Sequence, residues 1–98
     1  MQPGPVNTVV VFSLYDETTE NYQKTCSVLA TYGFRADVEK DEYRDIDLPD
    51  HVLLGARVDH TDALRDLLLQ KLREHGVQVK ALLVGRLTNW AISGPSFW

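Results

Sequence analysis

The order of apolar patterns limits this chain more than any single residue does. One β-branched run, an amphipathic stretch, two further strand-like runs, a second amphipathic stretch and a last apolar run follow one another within 98 residues. Read as β-α-β-β-α-β, that order predicts an α+β domain of the ferredoxin-like split βαβ arrangement: a four-stranded antiparallel sheet with two helices on one face. The length leaves room for one hydrophobic core, so residues 1–98 are expected to form a single domain. Residues 1–6 are expected to be a flexible N-terminus, and residues 86–98 an apolar C-terminal tail.

The first run, Thr8 to Tyr15, is rich in valine and aromatic residues and suits a central strand. Val9, Val11, Ser13 and Tyr15 fall on one of its faces and Val10, Phe12 and Leu14 on the other. Both faces are largely apolar, whereas helices in this arrangement cover one side only. The uncovered side therefore calls for a partner subunit or for the C-terminal tail. Asp16, Glu17, Thr18 and Thr19 supply capping oxygens and negative charge for a helix expected over Thr19–Tyr32, stopped by Gly33. Tyr22, Cys26 and Leu29 recur along it at helical spacing. Phe34 to Lys40 alternates apolar and charged residues, the pattern of a half-exposed edge strand. Residues 41–50 are acidic and contain Pro49, which predicts a loop with room for short strand extensions. Val52 to Val58 is the next strand, with Gly55 marking a bulge or a close backbone approach. Leu64, Leu67, Leu68 and Leu72 form one face of a second helix that ends at Gly76, and Val77 to Gly85 is the last strand.

Charge bounds the partners. The chain has a formal net charge of -4, which argues against binding nucleic acid through bulk electrostatics. The distribution is uneven: residues 1–50 carry four basic against ten acidic side chains, residues 51–98 six basic against four acidic. A local basic surface is thus available in the second half. The single Cys26 excludes an internal disulfide framework and a cysteine-rich zinc site. Its place on a helical stripe favours a small buried side chain over a nucleophile. The N-terminal residues lack a signal-peptide pattern, and no apolar run is long enough to span a bilayer, so a soluble, cytoplasmic protein with no membrane partner is expected.

The candidates for chemistry are scattered. Asp16, between the first strand and the first helix, can cap the helix, hold a divalent cation or act as a base. Asp41, Glu42, Tyr43 and Arg44 place acid, phenol and guanidinium on one loop, suited either to solvent or to positioning a phosphate. His51, His60 and His75 are the side chains whose ordinary pKa suits proton transfer near neutrality. Arg57 and Arg86, on or beside strands, suit a bidentate phosphate contact or an ion pair. Trp90, Phe97 and Trp98 in the tail suit base stacking, a core plug or a dimer contact. The third strand, Val52 to Val58, lacks the aromatic signature of an RNA-recognition motif.

Asn7-Thr8-Val9-Val10-Val11-Phe12, the exit Tyr32-Gly33-Phe34, the triplet Asp41-Glu42-Tyr43 and the helix from Ala63 to Leu72 together resemble the GhoS-type antitoxin family over residues 7–86. The resemblance implies a ferredoxin-like endoribonuclease that silences a toxin message by cutting it, one half of a toxin-antitoxin pair. Leu14-Tyr15-Asp16 and Tyr32-Gly33-Phe34-Arg35 also look like the pattern of the small nucleases of CRISPR adaptation. The first helix departs from the antitoxin pattern: Lys24 is its one basic residue, and Cys26 stands where a second cation is expected. Residues 17–23 likewise lack the arginine of the CRISPR nucleases. On this reading Asp16, Tyr43 and His51 are the catalytic candidates, and Lys24, Arg57 and Arg86 the RNA-binding ones. No cofactor is expected, with Mg2+ entering only for the CRISPR-nuclease type of site. The alternative is a non-catalytic homodimeric interaction or regulatory module, joined through the open sheet face or the tail.

Overall fold

The computed structural model describes residues 6–41, 44–47 and 50–88. Within them the chain runs β1 (Val6–Leu14), α1 (Thr19–Ala30), β2 (Asp37–Asp41), β3 (Arg44–Asp47), β4 (Val52–Arg57), α2 (Thr61–Glu74) and β5 (Val79–Arg86). β1 lies in the middle of a three-stranded sheet of order β4-β1-β5, antiparallel to both neighbours. The product is a small α+β fold with two helices and a three-stranded antiparallel sheet, compatible with a ferredoxin-like arrangement.

The alternation in β1 explains how the layers form. Thr8, Val10, Phe12 and Leu14 are buried, and their register partners on β4 and β5 include Leu53, Leu82 and Val84. Against this face pack Val28 and Leu29 of α1 and Leu64, Leu68 and Leu72 of α2, with Phe34 and Val77 closing the cluster. The three α2 leucines are four residues apart, so one stripe of that helix turns inward while Arg65, Asp66, Gln70 and Arg73 stay exposed. The two buried polar residues, Thr8 and Thr25, are not left unsatisfied; Thr25 Oγ1 donates to the Asn21 carbonyl at 2.8 Å.

Both helices are closed by the glycines expected to stop them. Gly33 and Gly76 take positive φ of 94° and 79° just past α1 and α2, the left-handed turn that closes a helix and that glycine adopts most readily. α1 itself ends at Ala30 with Thr31 as its C-cap, two residues before the expected Tyr32.

Residues 34–47 differ more from expectation. The strand expected over Phe34–Lys40 is divided: Phe34 is buried in the core, Arg35 forms an isolated antiparallel bridge with Leu54, and β2 begins only at Asp37. The segment expected to be a loop with room for short strand extensions holds one such strand, β3, which pairs antiparallel with β2 as a separate two-stranded ribbon, Val38 opposite Ile46. The period-two alternation in fact continues on both sides of residues 42–43, so hairpin pairing prevails over the solvation of the acidic run. Gly55 marks close approach: the β1–β4 register runs unbroken past it, and the Gly33 carbonyl occupies the space that a Cβ would need.

The face of the sheet away from the helices carries Val9 and Val11 of β1, opposite Leu54 and Val52 on β4 and Gly85 and Leu83 on β5. Val11 is 36% and Leu83 57% exposed, so the described residues leave an apolar face open, as the two apolar faces of the first run anticipate. The C-terminal residues Trp90, Phe97 and Trp98, one of the two coverings considered for it, lie outside the described residues, as does most of the N-terminal segment, residues 1–5. Among the described residues no helix is long and apolar enough to cross a membrane.

Candidate functional site

The end of β1 turns into α1 through four residues that create a polar corner. Thr18 is the N-cap: its side-chain oxygen accepts from the Asn21 backbone N–H at 3.1 Å. Asp16, a cap candidate in the sequence, contributes its backbone carbonyl instead, accepting from Asn21 Nδ2 at 2.9 Å. Asp16 also lines a 170 Å³ cavity with Leu14, Asn21, Gly76, Val77 and Gln78.

Glu17 turns the other way. Its Oε1 accepts from the Leu14 backbone N–H at 3.3 Å and lies 2.9 Å from His51 Nε2. His51 is the one described non-glycine residue at positive φ, 68°, a conformation that costs a non-glycine residue about 1–2 kcal/mol. Its main chain is held on both sides in exchange: the carbonyl accepts from the Phe12 N–H at 3.1 Å, and the N–H donates to the Tyr22 hydroxyl at 3.4 Å. The imidazole meets the rings of Phe12 and Tyr22 edge-on, with centroids 5.3 and 5.2 Å away. A carboxylate on one ring nitrogen and aromatic rings on the flanks fix the orientation of this histidine while leaving its side chain 31% exposed. The carboxylate contact is made through Nε2, and Nδ1 has no hydrogen bond to a described residue. The corner opens into a 290 Å³ cavity lined by Glu17, Thr18, Thr19, Tyr22, Asp50 and His51.

Burial raises the pKa of the Tyr22 phenol, an effect partly offset by the hydrogen bond from the His51 backbone. Burial likewise raises that of the Cys26 thiol, against a smaller opposite effect of its bond with Tyr22. Neither group is thus poised as an anion near neutrality, and Cys26 packs half-buried against the core as a small side chain.

The remaining sequence candidates lie elsewhere. Arg57 and Arg86 meet at the opposite end of β1, and both are committed to internal partners. Arg57 Nε pairs with Asp59 Oδ1 at 2.7 Å and its Nη1 donates to the Tyr32 carbonyl at 3.1 Å. Arg86 donates to the carbonyls of Arg57, at 2.7 Å, and Asp59, and approaches Thr8 Oγ1 at 3.5 Å. The Arg57 hydrogen bond is the main reason that the Asp59 carboxyl is held below the usual carboxylate range. Lys24 lines a third place, a 290 Å³ groove between the helices with Ser27, Thr31, Lys71 and His75. His60 is the N-cap residue of α2 without a side-chain capping bond, and His75 its C-cap. Tyr43 lies outside the described residues.

Of the six candidates, then, the fold gathers Asp16 and His51 at one end and Arg57 with Arg86 at the other. Two members of the corner escape sequence reasoning. Tyr22 reads as one more core position on a helical stripe, and Glu17 as one more capping acid; their meeting with His51, 34 positions from Glu17 in the sequence, depends on β4 pairing beside β1. Among the described residues no group of three or more His, Cys, Asp or Glu side chains is placed to hold a metal ion. No protein-family model matches the chain, and no curated protein matches it at a significant level.

Proposed function

We propose that this chain acts on single-stranded RNA as an endoribonuclease of the GhoS-like antitoxin type, with His51 as the proton-transfer group and Glu17 as the residue that orients it. The observation carrying the proposal is the 2.9 Å contact between Glu17 Oε1 and His51 Nε2 at a histidine held in a left-handed backbone conformation. With Nε2–H given to Glu17, Nδ1 is the base. It takes the proton of a ribose 2′-hydroxyl, the 2′-oxygen bonds to the adjacent phosphorus, and the P–O5′ bond breaks. The leaving 5′-oxygen takes a proton from the imidazolium or from water, which gives a 2′,3′-cyclic phosphate and a 5′-hydroxyl. Glu17 stabilises the imidazolium formed on the way. The full four-stranded ferredoxin-like sheet belongs to the same reading, and the isolated antiparallel bridge of Arg35 with Leu54 on β4 supports it.

The test is incubation of the purified chain with a pool of structured and single-stranded RNAs, in EDTA and in Mg2+, and analysis of the product ends by mass spectrometry. Cyclic-phosphate ends formed in EDTA support the reading. Ends bearing a 5′-phosphate, made only with Mg2+ and lost with Asp16→Ala, replace it with a metal-dependent site.

A second reading rests on a different observation, the open apolar face of Val11, Val52, Leu54 and Leu83. It makes the chain a homodimeric interaction module with that face as the contact. Sedimentation that shows a dimer, reduced to monomer by Leu83→Glu, without RNA cleavage, favours it.

A further inference from the structure

Beside the Glu17–His51 corner, on the other side of Asp16, is a second surface that the proton-transfer chemistry leaves unused. The 170 Å³ cavity at Asp16 shares Gly76, Val77 and Gln78 with a wider one of about 430 Å³, whose remaining walls are Tyr15, Arg73 and Val79. The two cavities adjoin at these three shared residues and are taken together as one trough, with Asp16 among the walls of the smaller part and Tyr15 and Arg73 among those of the wider. Tyr15 stands in it 69% exposed, the most exposed of the large hydrophobic residues described. Its backbone is pinned by a bond from its N–H to the Gln78 carbonyl at 3.2 Å, so the ring projects from a fixed point of the sheet. The Arg73 side chain, on the exposed face of α2, makes no hydrogen bond or ion pair with any described residue.

The geometry points to this trough as a nucleotide platform for single-stranded RNA, an inference that rests on the ribonuclease reading and names how its substrate is held. Tyr15 supplies an aromatic face and Val77 and Val79 an apolar wall, which together suit an unstacked base. Arg73 supplies a guanidinium, without a partner among the described residues, for a phosphate. Gln78 and Asp16 set an amide and a carboxylate at the trough's inner end, where a base edge offers both donors and acceptors. The Asp16 charge keeps phosphate away from that end, so the backbone lies toward Arg73 while the strand passes the β1–α1 turn to reach His51. A duplex keeps its bases stacked and cannot use Tyr15, which restricts the substrate to single strands.

The test measures binding apart from cleavage. A fluorescein-labelled, uncleavable 2′-O-methyl strand of about ten nucleotides is titrated by anisotropy against the native chain, Tyr15→Ala, Tyr15→Phe and Arg73→Gln, over a range of salt. Both positions are exposed, and circular dichroism verifies folding. Tyr15→Ala is expected to weaken binding about 5- to 100-fold while Tyr15→Phe retains it. Arg73→Gln is expected to lower the slope of log affinity against log salt by about 0.7. Unchanged affinity in both variants overturns the platform even where the native chain cleaves RNA. Binding lost with Tyr15→Ala and no cleavage by any form upholds the platform and removes the ribonuclease. A Tyr15→Ala change that shifts only the sedimentation of the chain overturns the platform in favour of a protein contact.

Discussion

Replacing Gly55 by alanine tests the packing that positions β4, and with it His51. A Cβ built at Gly55 stands 2.6 Å from the Gly33 carbonyl oxygen and 2.9 Å from Phe34 Cδ1. Neither neighbour has room to withdraw. Gly33 sits in the turn after α1, its N–H on the Ala30 carbonyl at 3.0 Å, and Phe34 is buried with its N–H on the Leu29 carbonyl at 3.2 Å. Overpacking of this kind costs about 1–3 kcal/mol, a sizeable fraction of the roughly 5–15 kcal/mol that holds a domain folded. In a chain of this length each kcal/mol lowers Tm by roughly 4–8 °C. The internal control is Gly85 on β5, where an added Cβ meets Val9 Cγ1 at 3.6 Å and Leu83 Cδ2 at 3.9 Å, ordinary contact distances. Gly85→Ala is therefore expected to be neutral or to stabilise by about 0.4–1 kcal/mol through the unfolded chain. Thermal and urea unfolding followed by circular dichroism measure both. Equal midpoints for the two variants would refute the close approach of β4 to the α1 exit.

Arg86→Ala leaves two carbonyls at the β4–α2 turn without their donor and is expected to cost about 2 kcal/mol in urea unfolding; an effect under about 0.5 kcal/mol would remove Arg86 from the list of structural residues. The Asp59 carboxyl is held low by Arg57, so the folded state gives up its proton more readily than the unfolded one. Its contribution is complete above the ordinary carboxylate value of about 4 and is lost as pH falls through the lower folded value. The stability deficit of Asp59→Asn should accordingly shrink as the unfolding series is carried into acid, and a deficit that stays constant contradicts the Arg57 pairing. Thr18→Ala removes the α1 cap at an expected cost of about 1 kcal/mol, whereas Asp16→Ala, which keeps the carbonyl that Asn21 uses, should cost less than half as much.

Periodicity made the main layers legible in the sequence. The alternation of Thr8 to Leu14, the leucines of α2 and the glycines at 33 and 76 each prescribe a local geometry that tertiary contacts go on to use. Most of β2 falls within the strand expected over Phe34–Lys40, but its pairing with β3 was hidden because the acidic composition of residues 41–50 outweighed the alternation on either side of residues 42–43. The capping role passed from Asp16 to Thr18 because four successive residues carry suitable oxygens and only the turn geometry selects among them. The corner was half legible: His51 and Asp16 stand out by type and position, while Glu17 and Tyr22 acquire meaning only when β4 brings His51 beside β1. Arg57 and Arg86 show the converse. Their residue type suggests phosphate, but the fold turns both guanidiniums onto backbone carbonyls, which also need donors.

The measurement that bears most directly on the central claim compares RNA cleavage by the native chain, His51→Ala and Glu17→Gln under single-turnover conditions in EDTA. A general base accounts for about 10²- to 10⁴-fold in rate, so His51→Ala is predicted to lose at least about 100-fold and Glu17→Gln an intermediate amount, with binding of an uncleavable strand unchanged in both. Cleavage by His51→Ala at the native rate would show that the corner does not move the proton and would contradict the account.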